Sequence, residues 1–419
     1  MNILIISPIF PLPLISGGHT RLYNIIKRVS SNHVVDFVSP ITYQEEDYIS
    51  ELKQFCRNVV SVHISDSVSS ERRKTQGRYA YFYRSFNKIS GLLKGIPREV
   101  SGFYFPDLKD KLENLLESND YDIIQVEFTR MAQYFSRSFL KYHNSVKVLT
   151  DYDLAFIPHL RRWECEKNII FKIIRYIDYR MNRSYALKTW NLFDSFIVMS
   201  EIDRKRTLDH LPELSVHVVP NGVDLSSHNP LLEAKNIEKN KKLLFIGGAL
   251  HYPNVDALLF LTQEVYPLIL STIKNISLTV VGAGWESYAE HLSHIPSIHF
   301  TGFVKDIRPF ADSSTVLIAP IRIGGGTRLK ILEAMAMGIP VVSTGVGCEG
   351  ITVRDGHDIL IAETPTDLTS RVYEVFSDAD LRNRLTKNAY NLVKENYGWD
   401  NIALKMEKIY GDLVLKKHG

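Results

Sequence analysis

Thirteen short apolar runs, separated by longer stretches of helical periodicity, set what this chain can fold into. Six cover residues 2–6, 34–38, 59–63, 123–126, 146–150 and 195–199. A second series covers 217–219, 243–246, 277–281, 298–301, 315–319, 340–343 and 359–361. Between them, in segments such as 21–29 and 329–337, apolar residues return every three to four positions. Strands that alternate with helices in this way run parallel, because each crossover returns the chain to the same end of the sheet. Two series predict an α/β protein with two doubly wound sheets. The break falls in the polar run 224–242, or just before it around Leu211 and Pro212.

At 419 residues, 45% hydrophobic and 23% charged, the chain has the composition of a globular protein. A disordered, collagenous or coiled-coil chain is excluded. Three scattered cysteines, Cys56, Cys165 and Cys348, make neither a disulfide framework nor a zinc cluster, and suit a reducing compartment. No apolar run approaches the roughly 20 residues that span a bilayer. The apolar N-terminus lacks a basic leader region and carries Pro8, Pro11 and Pro13, so it reads as a buried first strand. A cytoplasmic location is expected.

Charge is unevenly distributed. Residues 1–200 hold 27 Lys and Arg against 21 Asp and Glu, the remainder 23 against 26. The excess lies in 71–105, where Arg72, Arg73, Lys74, Arg78, Arg84, Lys88, Lys94 and Arg98 alternate with aromatics. A second basic stretch, 161–188, contains Trp163, Phe171, Tyr176, Tyr179 and Tyr185. Either could face an anionic membrane or acceptor, or be a solvated helical face whose aromatics belong to the core. No recognition motif accompanies the charge, so nucleic acid is not expected as a partner.

In doubly wound sheets, ligands bind beyond the carboxyl ends of the strands, so the loops there carry the chemistry. After the first strand comes Ser16-Gly17-Gly18-His19, with a helix expected from Thr20. Its glycines either admit a ligand close to the backbone or form a plain turn. The richer loop follows the run 315–319. Gly324, Gly325 and Gly326 precede Thr327, where a helix is expected to begin and to stop at Gly338. Leu329, Leu332, Met335 and Ala336 form its expected buried stripe. Arg328 and Lys330 oppose the helix dipole at its positive end, a conflict that a bound diphosphate would resolve. Glu333, about 9 Å further along, suits a ribose diol, or else forms an i,i+3 salt bridge with Lys330.

Here the chain resembles the retaining family-4 glycosyltransferases, which have the GT-B fold of two facing Rossmann-like domains. The motifs are LEAMAMGIPVVSTGVGCEGI at 332–351, PNGVD at 220–224, FDSFIVMSEIDRKRTL at 193–208 and Thr301-Gly-Phe-Val304. The resemblance implies transfer of a sugar from a nucleotide diphosphate donor to an acceptor hydroxyl, with retention. It implies an acceptor domain over 1–208, a donor domain over 209–395, and a last helix within 396–419 that returns to the first domain. Donor contacts would come from Glu333 on the ribose, Val304 at the base, and Gly17 and Gly18 near phosphate or sugar. Gly247, Gly248, Gly324, Gly325, Gly326 and Thr327 join them. The acceptor would meet His19, Tyr152 and Asp153 in the cleft, with Asp151 joining Arg328 and Lys330 as a catalytic candidate. Asp153 has a helix-capping role as its alternative.

This sequence departs from the family pattern at three places. Gly325 stands where the family has a glutamate eight residues before Glu333. The segment GGALHYP at 247–253 lacks the family's phosphate-binding Arg and Lys, so Arg328 and Lys330 are expected to take the diphosphate. Tyr152 stands in place of the family's histidine. Asp151-Tyr152-Asp153 also mimics a metal-binding Asp-x-Asp, but the counter-charges here are protein cations, so neither metal nor cofactor is expected. No carboxylate stands out as a nucleophile, which fits a front-face route in which the departing phosphate takes the acceptor's proton. The expectation is a metal-independent hexosyltransferase of polysaccharide or glycolipid synthesis. Its acceptor would be a saccharide or lipid-linked saccharide, met at the inner face of a membrane. A nucleotide-sugar epimerase of the same fold, or a silent subunit that binds nucleotide and activates a partner, remain alternatives. A dinucleotide-dependent oxidoreductase is disfavoured, since Gly282-Ala283-Gly284 supplies only half of its glycine motif.

Overall fold

The computed structural model describes residues 1–64, 95–135, 144–225, 241–292, 295–324 and 326–418. The chain divides into two compact units, Met1–Val219 with Ile402–Gly419, and Pro220–Asn401.

The first unit is built on seven parallel strands: β1 (Asn2–Ile6), β2 (Val34–Ile41), β3 (Asn58–His63), β4 (Ile123–Glu127), β5 (Val146–Thr150), β6 (Ser195–Val198) and β7 (Val216–Val218). Their order is β3-β2-β1-β4-β5-β6-β7. The central strands are buried on both faces, which explains why they read as unbroken apolar runs. Strand order reverses between β1 and β4, where the backbones of Ile6 and Val126 align. That is where a doubly wound sheet opens a crevice at its carboxyl edge.

In the second unit, six parallel strands repeat the pattern: β8 (Lys241–Ile246), β9 (Ile276–Val281), β10 (Ile298–Gly302), β11 (Val316–Ala319), β12 (Val341–Ser343) and β13 (Leu360–Ile361). Their order is β10-β9-β8-β11-β12-β13, so the switch point lies between β8 and β11. Leu243, Phe245, Leu278, Val280, Val316 and Ile318 fill the core on one side of this sheet, and Leu244, Val281, Leu317 and Val341 on the other.

The expected boundary needs correction. The run at 217–219 was assigned to the second series, yet β7 pairs with β6, Phe196 opposite Val216. The first unit therefore extends to Val219 rather than ending at residue 208. A three-residue strand carries no local sign of which sheet it joins; only the pairing decides. Of the polar run 224–242, residues 226–240 lie outside the described residues, as does most of the basic stretch 71–105.

Just past the boundary, Gly222 of the PNGVD segment abuts Trp399, and a Cβ there would lie 2.7 Å from the indole ring. Trp399 opens the final helix, Trp399–His418, whose residues from Ile402 onward belong to the first unit. There Tyr410 donates to the Gln125 side chain on β4, Glu407 accepts from Asn32, and Lys417 reaches the Ser145 carbonyl (2.8 Å) and Asp194 (2.9 Å).

Candidate functional site

Both switch points carry side chains that the sequence singled out. In the second unit, β8 is followed by Gly247-Gly248 and leads to the helix Tyr252–Phe260; β11 is followed by Pro320 and leads to the helix Leu329–Ala336. Gly247 takes φ +156°, and a Cβ on it would lie 2.6 Å from Asn254. The Asn254 amide fills that space. It donates to the Gly248 carbonyl (2.9 Å) and accepts from Lys330 Nζ (2.8 Å). One asparagine thus ties together the two loops that flank the switch point.

The loops after β9 and β10 close up behind. Gly282, at φ +145°, would place a Cβ 2.4 Å from the Gly247 carbonyl oxygen. Its N–H donates to Gly302 (3.1 Å), while Ala249 N–H donates to Ala283 (2.9 Å). Gly282 and Gly284 therefore serve loop-to-loop packing rather than a dinucleotide. Trp285 Nε1 donates to the Gly247 carbonyl (2.8 Å) and fixes the loop from beneath. Val304, just past β10 on this edge, packs against the core that includes Val281 and Leu317.

The glycine-rich loop departs from expectation in detail. The helix begins at Leu329, not Thr327, and Arg328 is its extended N-cap residue. Gly324 (φ +122°) abuts the Arg328 guanidinium, which donates to the Gly326 carbonyl (3.0 Å). Gly325 lies outside the described residues. Thr327 is buried, and among the described residues its Oγ1 has no hydrogen-bond partner. Leu329 is only partly buried; Ile331 and Ala334 join Leu332, Met335 and Ala336 inside. The helix stops where expected, with Gly338 at φ +71° and Ile339 N–H closing onto Ala334.

Lys330 bonds Asn254 instead of forming the i,i+3 bridge to Glu333, and its ammonium lies 5.5 Å from the centre of the Phe245 ring. Burial and the neighbouring Arg328 bring its pKa down to about 7, with Glu333 acting against them. Burial pushes the Glu333 carboxyl up, opposed by Lys330. A lysine half-charged at neutral pH, beside an arginine, is an environment short of negative charge.

In the first unit the expected glycine loop is the opening turn of a helix. Gly17–Val29 begins at Gly17, with neither glycine at positive φ. Ser16 bonds His19 Nδ1 (2.7 Å) rather than capping the helix, and burial lowers the His19 pKa. A Cβ on Gly18 would meet Ile9 at 3.2 Å and the Tyr152 ring at 3.5 Å. The structure thus gathers Gly17, Gly18, His19 and Tyr152 at one switch point.

Asp151 behaves otherwise. It is 3% exposed, and its two oxygens accept the Thr129 N–H (3.0 Å) and hydroxyl (2.5 Å), while Trp190 donates to that hydroxyl. Burial raises its pKa to about 7. This carboxylate pins the turn after β4, so its expected catalytic part is set aside. Asp153 stands exposed.

Residues 240–378 match the family profile of glycosyl transferases group 1. An uncharacterized protein of the cps region of Klebsiella pneumoniae is 24% identical over 94% of this chain and 96% of its own length. An Escherichia coli UDP-Gal:α-D-GlcNAc-diphosphoundecaprenol α-1,3-galactosyltransferase is 22% identical over 50% of this chain and 57% of its own. Among solved structures, sucrose-phosphate synthase of Thermosynechococcus elongatus superposes with a TM-score of 0.73 at 15% identity, covering 99% of both chains. Anabaena HepE in complex with UDP gives 0.66 at 14%, covering 98% of this chain and 100% of its own. Together these support a GT-B glycosyltransferase.

Within the group 1 domain, sequence reasoning missed Asn254 and Trp285. The signal for Asn254 was a proline-led helix start a few residues after the paired glycines of β8. In the first unit it missed a buried polar set. Arg21, Gln125, Glu127 and Tyr410 are each at most 2% exposed; Gln125 donates to Glu127, and burial raises the Glu127 pKa. Arg21 lies 5.4 Å from the Tyr152 ring centre. No sequence spacing brings a residue at 410 to one at 127. Among the described residues, no group of three or more His, Cys, Asp or Glu is placed to hold a metal.

Proposed function

We propose that this glycosyltransferase is a retaining, family-4 enzyme that moves a hexose from a nucleoside diphosphate donor to the hydroxyl of a saccharide or lipid-linked acceptor. The observation that carries this is the β8/β11 switch point. Arg328, a Lys330 short of counter-charge and a Thr327 hydroxyl without a partner among the described residues stand together at the start of one helix. Such a group is complementary to a pyrophosphate, whose charge grows as the glycosidic bond breaks. Freed from a bridge to Lys330, Glu333 is assigned to the ribose hydroxyls, and Val304 to the base. Relatives in a cps region and acting on a lipid-linked sugar, with a fold neighbour that binds UDP, support polysaccharide or glycolipid synthesis.

In the proposed step the bond from the anomeric carbon to the diphosphate oxygen breaks, and the acceptor oxygen bonds to that carbon on the same face. The acceptor's proton passes to the departing phosphate, so no protein nucleophile is required. Gly17, Gly18, His19 and Tyr152, with the exposed Asp153, are assigned to the sugar and acceptor side. We assign the reaction to the cytoplasm and to a metal-free mechanism, so turnover should persist in chelator. A panel of nucleotide sugars tests the whole. Release of nucleoside diphosphate from one donor, abolished by Arg328→Ala with Lys330→Ala, is expected. An isomerised donor, or binding without any turnover, would overturn the transferase reading.

A further inference from the structure

The helix Ile169–Trp190 presents a surface that the sugar-transfer reading does not use. Over its first nine residues it is exposed on every side: Ile169, Ile170, Phe171, Ile173, Ile174 and Ile177 are 70, 66, 55, 57, 48 and 51% exposed. An apolar helical face this broad is ordinarily buried. The buried residues of this helix, Asn182, Ala186, Thr189 and Trp190, all lie in its second half. At its base Trp163 stacks with Tyr179 and touches Tyr176, at centroid distances of 6.1 and 5.1 Å. The helix carries Lys172, Arg175, Arg180, Arg183 and Lys188 against a single acid, Asp178.

We propose that this helical tip inserts into the interface of an anionic lipid bilayer. The layers are ordered as such an interface requires: isoleucines and phenylalanine outermost, Trp and Tyr rings next to them, and cations along the same rod. Too charged to cross, the helix is matched to a surface; no helix among the described residues is long and apolar enough to span a membrane. The excess of cations selects lipid that is negatively charged over a neutral or protein apolar partner. The inference stands apart from the catalytic reading, because binding needs no sugar.

Flotation with sugar-free phosphatidylglycerol vesicles, and with phosphatidylcholine vesicles as control, tests it on the full chain. Trp163 is the natural reporter, since Trp190, Trp285 and Trp399 are buried. Binding to the anionic vesicles with a blue shift of its emission is expected, weakened by salt and at least about tenfold lower on neutral lipid. Ile170→Glu with Ile174→Glu should abolish flotation, and Lys172→Glu with Arg175→Glu should reduce it more than about tenfold. All variants should keep wild-type helicity and donor hydrolysis. Flotation unchanged by both pairs of substitutions overturns the proposal. So does absence of flotation at low salt, or a wild-type dimer that Ile170→Glu with Ile174→Glu splits without any lipid binding.

Discussion

At the scale of single residues, the decisive feature is a lysine held near neutrality. Lys330 has a pKa of about 7 because burial and Arg328 disfavour its charge. A bound diphosphate reverses that balance and raises the value. Nucleoside diphosphate binding at pH 8 should therefore take up close to one proton, and calorimetry in buffers of different ionisation heat measures it. The folded pKa also lies below that of an unfolded lysine. The unfolded chain thus binds the extra proton between about 7 and 10.5, and the ligand-free protein gains stability as pH rises through that window. Arg328→Ala should weaken nucleoside diphosphate by about 2 kcal/mol while leaving nucleoside affinity unchanged; an equal loss for both would refute the phosphate assignment. Asp151 makes the converse case. Asp151→Ala strands the Thr129 N–H and hydroxyl and should cost about 2–3 kcal/mol in denaturant unfolding, with turnover per folded molecule retained. The type of these residues was legible in the sequence. Their ionisation was not, because it depends on what buries them.

At the scale of elements, the site is a set of strand ends held in register by glycines. Gly247, Gly282 and Gly302 stand at the ends of three neighbouring strands, and their backbones hydrogen-bond across the loops. Gly282→Ala forces a side chain into φ +145° and against the Gly247 carbonyl. It should destabilise by about 2–4 kcal/mol and reduce donor affinity together with stability, as thermal unfolding with and without nucleotide would show. Periodicity located the thirteen strands of the described residues, since most are apolar runs bounded by polar turns, buried in the middle of each sheet and half-buried at β3 and β10. It misjudged helix starts. Gly17 and Gly18 lie inside a helix, and Thr327 and Arg328 lie outside one. Glycine and β-branched residues have weak helical preference, so at a terminus the tertiary setting decides.

At the scale of the whole molecule, the last helix shares a buried polar network with residues from the start of the chain. Tyr410 donates to Gln125, which donates to Glu127, and Arg21 lies alongside. Tyr410→Phe leaves the Gln125 carbonyl without its donor and should cost about 1–3 kcal/mol, read as a lower thermal midpoint, while Ile402→Ala should cost a similar amount through its cavity alone. Chain order alone determined that this protein is two parallel sheets wound with helices, because apolar periodicity and strand–helix alternation are local properties. The run at 323–344, with its three glycines and two cations, was equally local and marked the loop to which the donor is assigned under the proposed function. Only the tertiary structure decided that β7 belongs to the first sheet, that Asn254 and not Glu333 holds Lys330, and that Asp151 is a buried pin. Each of those depends on which distant group occupies the adjoining space, and contact between residues far apart in sequence is what folding, rather than composition or spacing, supplies.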